Sequence, residues 1–317
     1  MAEIGQDIFK CKEILEKGGL VAIPTETVYG LAANALNPDA VAKIFKAKNR
    51  PSFDPLIVHT DSLEKLKSFT TSLPLDFELL LRKFSPGPLT LLLPKRESIS
   101  DLVTSGLPRV AVRIPNHELS LSLLKSIDFP LAAPSANPFG YISPTTAEHV
   151  NKQLGDKIDY ILDGGPCSVG LESTIIGYEG EQITVYRKGG LAIEQIESVV
   201  GTVDVLEYSS SNPAAPGMLK SHYAPNKEVL LLPVGNTINF RERCGILRYS
   251  EFSMGVEKDS QFVLTEKKDL IEAAQNLFKG LRHLDGLDID TIYLELVPDE
   301  GIGRAINDRL KRAAAVV

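Results

Sequence analysis

The chain has 317 residues, of which 43% are hydrophobic, and it carries a formal net charge of −7. That length exceeds the usual size of a domain with a single hydrophobic core and predicts two globular domains. The hydrophobic content excludes a disordered chain. The acidic balance argues against a surface that holds nucleic acid by general attraction to phosphates, so any basic site must be local.

The cysteines and the apolar segments exclude several classes of protein. Cys11, Cys167 and Cys244 are too few and too far apart for a disulfide framework or a CxxC metal motif. We expect Cys167 to fill space rather than act as a nucleophile. The start "MAEIGQDIFK" lacks the pattern of a signal peptide, and no run of residues is apolar enough to span a bilayer. We therefore expect a cytoplasmic protein with no membrane role.

The first two hundred residues alternate between helical and strand patterns. Helices are predicted at "DIFKCKEILEKGG", at "NPDAVAKIFKAK" with Asn37 as cap and Pro38 in the first turn, and at "DSLEKLKSF" with a capping box of Asp61 and Glu64. Strands are predicted at "GLVAIP", "PLIVH", "LTLLLP", "RVAVRIP", "PLAAPS" and "DYILDGG", and a hairpin at "STIIGYEGEQITVYR". This α/β alternation predicts one mixed sheet flanked by helices.

A change of composition marks the domain boundary. The segment "SSSNPAAPGMLKSHYAPN", residues 209–226, is rich in Ser, Pro, Ala and Gly and has no sustained periodicity. We place the first domain at 1–207, a linker at 208–227 and a second domain at 228–317. The second domain has strand patterns at "EVLLLPV", "CGILRY" and "TIYLELV" and helical patterns at "DLIEAAQNLFKGLRHL" and "IGRAINDRLKRAAA". These predict a smaller, Rossmann-like α/β domain.

Two arginines share one face of the strand "RVAVRIP". Arg109, Ala111 and Arg113 alternate with apolar residues, and the two arginines lie roughly 13 Å apart at about 3.3 Å per residue. That separation suits two different anionic groups. Taken alone, the strand is better explained as an edge strand whose solvated face carries both arginines.

A cationic segment precedes the strand "PLIVH". In "AKNRPSFDPLIVH", Lys48 and Arg50 stand at a helix end, and the strand closes with His59. Alone, the two cations are explained by the helix dipole, and His59 by a hydrogen-bonded core histidine. These residues therefore identify no function by themselves.

Two loops carry polar side chains and glycines that could meet a ligand. "PSANPFGYISPTTAEHV" offers Ser135, Asn137 and Ser143 before a helix start at Pro144, where free backbone N–H groups can bind an anion. "DGGPCSVGLESTI" is rich in glycine, which permits close approach of the backbone to a ligand. An ordinary capped loop and a tight turn explain both nearly as well.

Taken together and in order, the motifs resemble the Sua5/YrdC family over nearly the whole chain. They are "PTETVYGLAANA", "KNRPSFDPLIVH", "RVAVRIP", "APSANPFGYISPTTAEHV", "DGGPCSVGLESTI", "VYRKGGL" and "PGMLKSHYAP". The resemblance implies a twisted mixed sheet with flanking helices around a concave cationic cavity, followed by the smaller C-terminal α/β domain. It also implies a nucleotidyltransferase that joins ATP, L-threonine and bicarbonate into threonylcarbamoyl-AMP and releases pyrophosphate.

The resemblance further implies contacts for each substrate. The implied L-threonine contacts are Thr27, His59, Arg113, Ala133 through its backbone, and Ser173. The implied ATP contacts are Lys48, Arg50, Asp54, Arg109, Ser135, Asn137, Ser143, Arg187 and Tyr223. Lys48, Arg50 and Arg113 would act by position and charge, with no protein nucleophile. We expect no dedicated metal site, and Mg²⁺ would arrive with ATP.

The resemblance also implies partners. The product would pass to a separate transferase that modifies the adenosine beside the tRNA anticodon, and we expect no stable direct binding of tRNA by this chain. The linker, including Tyr223, is expected to close over the site as a lid that keeps water from the product. A passive tether is the alternative.

Asp54 departs from the family, in which Asn is common at this position. A carboxylate there would repel a triphosphate unless a metal ion or Lys48 intervenes, although Asp54 could simply form a turn before Pro55.

The sequence leaves two alternative functions. One is an RNA-binding module, which the acidic charge disfavours, and the other is a carbamoyl-transfer maturation enzyme containing a YrdC-like domain. The zinc-finger cysteines of that larger architecture are missing here.

Overall fold

The computed structural model describes residues 1–206, 215–218, 222–233 and 240–315, called below the described ranges. The chain divides into two compact units. The first comprises Met1–Phe139, Ser143–Ser168 and Glu172–Leu219, and the second comprises Gly140–Ile142, Val169–Leu171 and Lys220–Val317. The predicted linker at 208–227 contributes to both units and lies partly outside the described ranges, so the predicted domain boundaries stay a prediction. Within those ranges, no helix is long and apolar enough to cross a membrane.

The first unit contains eleven strands and eight helices in its described residues. The strands are β1 (Glu3–Gly5), β2 (Val21–Ile23), β3 (Gly30–Asn34), β4 (Ile57–His59), β5 (Leu89–Pro94), β6 (Arg109–Arg113), β7 (Leu131–Ala132), β8 (Tyr160–Leu162), β9 (Thr174–Glu179), β10 (Gln182–Arg187) and β11 (Asp204–Val205). The helices are α1 (Ile8–Glu16), α2 (Pro38–Lys48), α3 (Leu63–Phe69), α4 (Leu75–Phe84), α5 (Asp101–Thr104), α6 (Glu118–Ser126), α7 (Ala147–Leu154) and α8 (Ile193–Val200). All eleven strands join one sheet in the order β1-β8-β2-β3-β7-β4-β6-β5-β9-β10-β11.

The sheet is mixed, as the alternation predicts, and β9 and β10 form the predicted antiparallel hairpin. Strand β6 lies inside it, parallel to β4 and antiparallel to β5. The interpretation of this segment as a solvated edge strand is therefore wrong. His59 on β4 and Thr90 on β5 stand opposite Arg113 from either side. Both edges of β6 are thus paired, which makes it an interior strand of the sheet.

The start of α2 follows the sequence prediction, whereas the start of α3 does not. The Asn37 side chain accepts hydrogen bonds from the N–H groups of Asp39 and Ala40 at 3.0 and 3.2 Å, with Pro38 at the first helical position. In α3 the cap is Ser62, whose hydroxyl accepts from Lys65 N at 3.2 Å. The predicted capping box of Asp61 and Glu64 is therefore wrong, because the serine beside Asp61 takes the cap.

Helices cover both faces of this sheet. Ile44 of α2, Leu80 of α4 and Ile196 of α8 are fully buried in one apolar cluster with strand residues. Leu15 of α1 and Leu124 of α6 lie in another cluster, formed with different strand residues. Fully burying each such side chain contributes about 1.5–3 kcal/mol, so the two layers fix the sheet from both sides.

The second unit is a smaller α/β structure with a parallel sheet. Its strands are β12 (Glu228–Leu231), β13 (Cys244–Arg248), β14 (Gln261–Val263) and β15 (Thr291–Leu294), in the order β12-β15-β13-β14, and its long helices are α9 (Leu270–Asp285) and α10 (Gly303–Ala313). Every pairing is parallel. Strand β14 was not predicted from the sequence, because a three-residue strand carries too little pattern. The rest agrees with the predicted Rossmann-like unit.

Candidate functional site

Arg113 forms the centre of a buried polar cluster in the first unit. Its side chain is 4% exposed. Its Nε donates to the carbonyl of Gly87 at 3.1 Å, and its Nη1 donates to the hydroxyl of Thr27 at 2.8 Å. Its Nη2 forms an ion pair with Glu26 Oε2 at 2.8 Å. Two of the implied threonine contacts, Thr27 and Arg113, are therefore in direct contact with each other.

His59 lies beside this cluster as a neutral imidazole. It stands opposite Arg113 in the pairing of β4 with β6 and is 3% exposed. Burial, with a further contribution from the charge of Arg113, lowers the pKa of His59 to about 3. Its Nδ1 has no hydrogen-bond partner within the described ranges. His59 can therefore offer a hydrogen bond to a ligand without adding charge to the site.

Replacing His59 with asparagine is expected to flatten the dependence of stability on acid pH. The pKa of about 3 lies below the ordinary value of 6.5, so between these values the unfolded chain binds a proton that the folded chain does not. His59 thus contributes stability above pH 6.5, and the free energy of unfolding falls by about 1.4 kcal/mol per pH unit below it. Urea unfolding from pH 7.5 to pH 4.5 should show this slope for the wild type and a shallower one for His59→Asn. An equal slope in both proteins, or an equal change with the control His283→Asn, would contradict the assignment.

Lys48 ties the end of α2 to the loop that carries three of the implied ATP contacts. Its ammonium donates to the carbonyl of Ser135 at 2.5 Å and to the carbonyl of Asn137. The N–H of Phe139 donates back to the carbonyl of Lys48 at 2.8 Å. Burial is the main cause that lowers the pKa of Lys48. Its bonds thus go to this loop rather than to the end of its own helix, so the helix dipole does not account for its position.

Arg50 and Asp54 form a buried ion pair in the loop that follows α2. Arg50 Nη2 lies 2.8 Å from Asp54 Oδ2, and the two side chains are 5% and 0% exposed. Arg50 also donates to the backbone carbonyls of Asp54 and Pro55, at 3.0 and 2.7 Å. The partner of Asp54 is therefore Arg50, rather than the Lys48 or metal ion expected from the sequence. This pairing reduces the repulsion that Asp54 would exert on a triphosphate. Its contact with ATP stays a prediction.

Ser173 and Arg187 join an implied threonine contact to an implied ATP contact. Arg187, at the end of β10, donates from Nε to the carbonyl of Ser173 and from Nη2 to its hydroxyl, each at 3.0 Å. The Ser173 hydroxyl is also 2.7 Å from that of Thr90, which stands opposite Arg113 in the sheet. The two implied substrate sites therefore meet at the start of β9.

The described part of the linker within this unit, residues 215–218, packs on the same sheet. Ala215 and Met218 belong to an apolar cluster with Ile57, Leu92 and Ala111. Ala111 lies between Arg109 and Arg113 on β6. The carbonyl of Pro216 accepts a hydrogen bond from Arg187 Nη1 at 3.4 Å. This segment thus covers the stretch of sheet between the two arginines.

Arg109 has surroundings of its own. Its Nη1 donates to the carbonyl of Tyr178 at 2.7 Å and to the hydroxyl of Tyr186 at 2.9 Å, and its Nη2 lies 3.3 Å from Glu179. Its side chain is 25% exposed, far more than that of Arg113. The two arginines are therefore held by separate groups of the protein. That they bind two different anionic groups stays a prediction.

Two further implied contacts, Ser143 and Ala133, are held in place by hydrogen bonds. The Ser143 hydroxyl donates to Glu172 Oε1 at 2.5 Å, and both residues are buried. The N–H of Ala133 donates to the carbonyl of Ile57 at 2.8 Å. A Cβ added at Gly30 would lie 3.2 Å from the Cβ of Ala133, so this glycine lets the loop lie close to β3.

Tyr223 lies in the second unit. It is 1% exposed, has a φ of 65°, and stacks on Phe278 with 5.5 Å between ring centroids. The guanidinium carbons of Arg309 and Arg312 lie 5.3 and 4.8 Å from the centre of its ring. Its implied contact with ATP stays a prediction, because the structure places its ring in the packing of this unit.

A different part of the first unit holds a cavity of about 750 Å³ that contains none of the implied contacts. It is lined by Ile14, Lys17, Gly19, Leu20, Lys43, Lys46, Ala47, Lys157 and Asp159. Two of its polar side chains bond to backbone groups of the first unit: Lys43 donates to the carbonyl of Gly18, and Asp159 accepts from Leu20 N, each at 2.7 Å. This cavity is separate from the cluster around Arg113.

Cys167 is held in its unreactive form. It is 8% exposed, and burial raises the pKa of its thiol to about 12. Since the thiolate is the nucleophile, this environment favours the expected space-filling role. The described ranges contain no group of three or more His, Cys, Asp or Glu side chains that could hold a metal ion.

Sequence reasoning missed the buried carboxylates that contact the implied site residues. Glu26 pairs with Arg113, and Glu172 accepts from Ser143. Each stands next to an implied threonine contact, in "PTET" and in "LESTI". A carboxylate inside a motif that also supplies ligand contacts was the available signal, since unpaired acidic residues are rarely buried.

Comparisons with known proteins identify the family of this chain. The Sua5/YciO/YrdC family model, described as "Telomere recombination", matches residues 13–189, and the "Threonylcarbamoyl-AMP synthase, C-terminal domain" model matches residues 191–315. The chain is 42% identical to the threonylcarbamoyl-AMP synthase of Pyrococcus abyssi, over 95% of this chain and 92% of that protein. It is 40% identical to that of Bacillus subtilis, over 97% and 92%. The crystal structure of P. abyssi Sua5 complexed with L-threonine matches with a TM-score of 0.91 and 37% identity, over 99% and 97% of the two chains. The chain therefore belongs to the Sua5/YciO/YrdC family.

Proposed function

We propose that this chain is a threonylcarbamoyl-AMP synthase. The observation that carries the proposal is the buried cluster in which Arg113, Thr27 and His59 meet beside Ser173. It combines a cation suited to a carboxylate with hydroxyls and a neutral imidazole, which suits a small polar amino acid. Relatives that bear the synthase name align over most of the chain, and one relative's structure holds L-threonine.

The reaction has two bond-forming stages. The amine of L-threonine attacks bicarbonate to give a carbamate and water. A carbamate oxygen then attacks the α-phosphate of ATP, the bond to the β-phosphate breaks, and pyrophosphate leaves. Negative charge builds up on the leaving pyrophosphate, so the chemistry requires positioned cations rather than a protein nucleophile.

The residues divide between the two substrates. Arg113, Thr27, His59, Ser173 and the backbone of Ala133 would hold L-threonine. Since Arg187 donates to Ser173, the nucleotide would lie next to the amino acid, which shortens the path from carbamate to α-phosphate. The implied ATP contacts Lys48 and Arg50 are held by bonds to the carbonyl of Ser135 and to Asp54, so they would need little reorganisation on binding.

Magnesium would accompany the triphosphate and shield its charge. The carboxylate in the loop after α2 is Asp54, and Arg50 already pairs with it. We therefore expect phosphate oxygens and water, rather than protein side chains, to supply most of the ligands. The adenylate would pass to a separate transferase that modifies the adenosine beside the tRNA anticodon.

The assay that tests this function is pyrophosphate release from ATP with L-threonine and bicarbonate, compared with reactions that omit one of them. Because the carbamate is the nucleophile, we expect release to fall to background when either is left out. Mass spectrometry should detect threonylcarbamoyl-AMP only in the complete mixture. Release that continues without L-threonine and bicarbonate would contradict the proposal.

A further inference from the structure

Glu26 is a buried carboxylate with one oxygen bonded and the other unsatisfied. The residue is 5% exposed. Its Oε2 pairs with Arg113 Nη2 at 2.8 Å and accepts from Asn116 N at 3.0 Å. Its Oε1 has no hydrogen-bond partner within the described ranges. The two oxygens of one side chain thus have very different surroundings.

An oxygen left in this state destabilises the folded chain. A buried, unsatisfied polar group costs about 1–3 kcal/mol, and more when it is charged. Glu26 could orient Arg113 through Oε2 alone. Orienting Arg113 therefore does not explain why the second oxygen, Oε1, is buried without a partner within the described ranges. Native structures leave few such groups without a partner, and a ligand is one source of the missing partner.

Arg113 also retains donors for a ligand. A guanidinium has five N–H groups: Nε donates to Gly87 and Nη1 to Thr27, whereas Nη2 pairs with Glu26 by charge and makes no hydrogen bond within the described ranges. At least one N–H group therefore remains on each terminal nitrogen. Two parallel N–H groups match the two oxygens of a carboxylate. Arg113 therefore presents positive donors next to the unsatisfied negative acceptor of Glu26.

This arrangement is complementary to an amino acid zwitterion, whose carboxylate and ammonium groups are joined through one carbon. We propose that Glu26 Oε1 accepts a hydrogen bond from the α-amino group of L-threonine while Arg113 holds the α-carboxylate. The inference rests on the proposed function and makes Glu26 a binding residue for the amino acid. It predicts selection for α-amino acids against hydroxy acids of the same shape.

The test compares two ligands and two proteins by calorimetric titration. The ligands are L-threonine and its 2-hydroxy analogue, in which a hydroxyl replaces the amine and the carboxylate is kept. The proteins are the wild type and Glu26→Gln, with Glu78→Gln, at a partly exposed position on α4, as the matched control. A charge-assisted hydrogen bond of this kind is expected to change affinity by about 10- to 100-fold.

We expect Glu26→Gln to bind L-threonine about 10- to 100-fold more weakly than the wild type. It should weaken binding of the hydroxy analogue much less, because a neutral hydroxyl donates a weaker hydrogen bond to a carboxylate than an ammonium does. A role in orienting Arg113 alone predicts that both ligands weaken to the same extent, and that result would overturn the proposal. Glu78→Gln should match the wild type with both ligands.

Two measurements keep the outcome decisive. If Glu26→Gln does not fold, the wild type alone decides, because equal affinity for the two ligands would overturn the role of Glu26. Pyrophosphate release by the wild type is measured in parallel. Release that requires L-threonine, combined with no discrimination against the hydroxy analogue, would reject this inference and leave the proposed function intact.

Discussion

Replacing Arg113 with lysine is expected to weaken L-threonine binding by roughly 100-fold and to change ATP binding by less than about threefold. The guanidinium reaches Gly87, Thr27 and Glu26 in three directions and still offers two N–H groups to a carboxylate. A lysine ammonium is a compact point charge on a flexible stem and cannot reproduce that fork. Titration calorimetry with each substrate separates the two affinities.

The matched control is Arg109→Lys, because Arg109 and Arg113 lie at the two ends of β6 and on the same face of that strand. Arg109 contacts Tyr178, Tyr186 and Glu179 instead, so its replacement should leave L-threonine binding within about threefold of the wild type. Urea unfolding of both variants tests for loss of structure. Equal losses of ATP and L-threonine affinity in Arg113→Lys would contradict a specific role in holding the amino acid.

Local patterns predicted much of the fold. Asn37 and Pro38 predicted the start of α2, and the apolar run before His59 predicted β4. Both predictions succeeded because capping and burial depend on a few neighbouring residues. Position within the sheet is not local. The face of β6 looked solvated because Arg109 and Arg113 alternate with apolar residues, yet β4 and β5 enclose the strand. Pairing with β4, which lies well before β5 and β6 in the chain, placed β6 inside the sheet.

In the candidate site too, sequence motifs predicted individual residues but not the contacts between residues that are distant in the chain. The family motifs named Thr27 and Arg113, and the structure joins them at 2.8 Å although they are 86 residues apart. The motifs did not indicate that Glu26 pairs with Arg113 or that Asp54 pairs with Arg50. A sequence motif records which residue types stand near a ligand, whereas the charge that balances each of them depends on the folded chain. A buried cation requires a nearby anion, so the contacts that the motifs did not predict are mainly carboxylates paired with arginines.

Ending the chain after Glu207 is expected to lower ATP affinity at least about tenfold and to shorten the lifetime of the adenylate product. The truncation removes Ala215 and Met218 from the apolar row of Ile57, Leu92 and Ala111. It also removes the Pro216 carbonyl that accepts from Arg187. Water would then reach the sheet face between Arg109 and Arg113, next to which the proposed site would hold the mixed anhydride of the product.

Two variants of the intact chain refine this test. Met218→Ala removes only packing on the apolar row and should reproduce part of the shortened product lifetime. Tyr223→Phe removes a hydroxyl but keeps the ring that packs against Phe278, Arg309 and Arg312. Tyr223→Ala is less informative, because losing a buried aromatic ring destabilises a protein by about 3–5 kcal/mol. A drop in ATP affinity with Tyr223→Phe would support the implied contact of that hydroxyl with the nucleotide.

The truncated chain must first be shown to remain folded, by circular dichroism and by urea unfolding of its cooperative core. Its ATP affinity, pyrophosphate release and product lifetime are then compared with those of the intact protein. A lid predicts that product lifetime falls even at saturating ATP, because exclusion of water is separate from binding. A folded truncated chain that equals the intact protein in all three measurements would show that the linker is a passive tether.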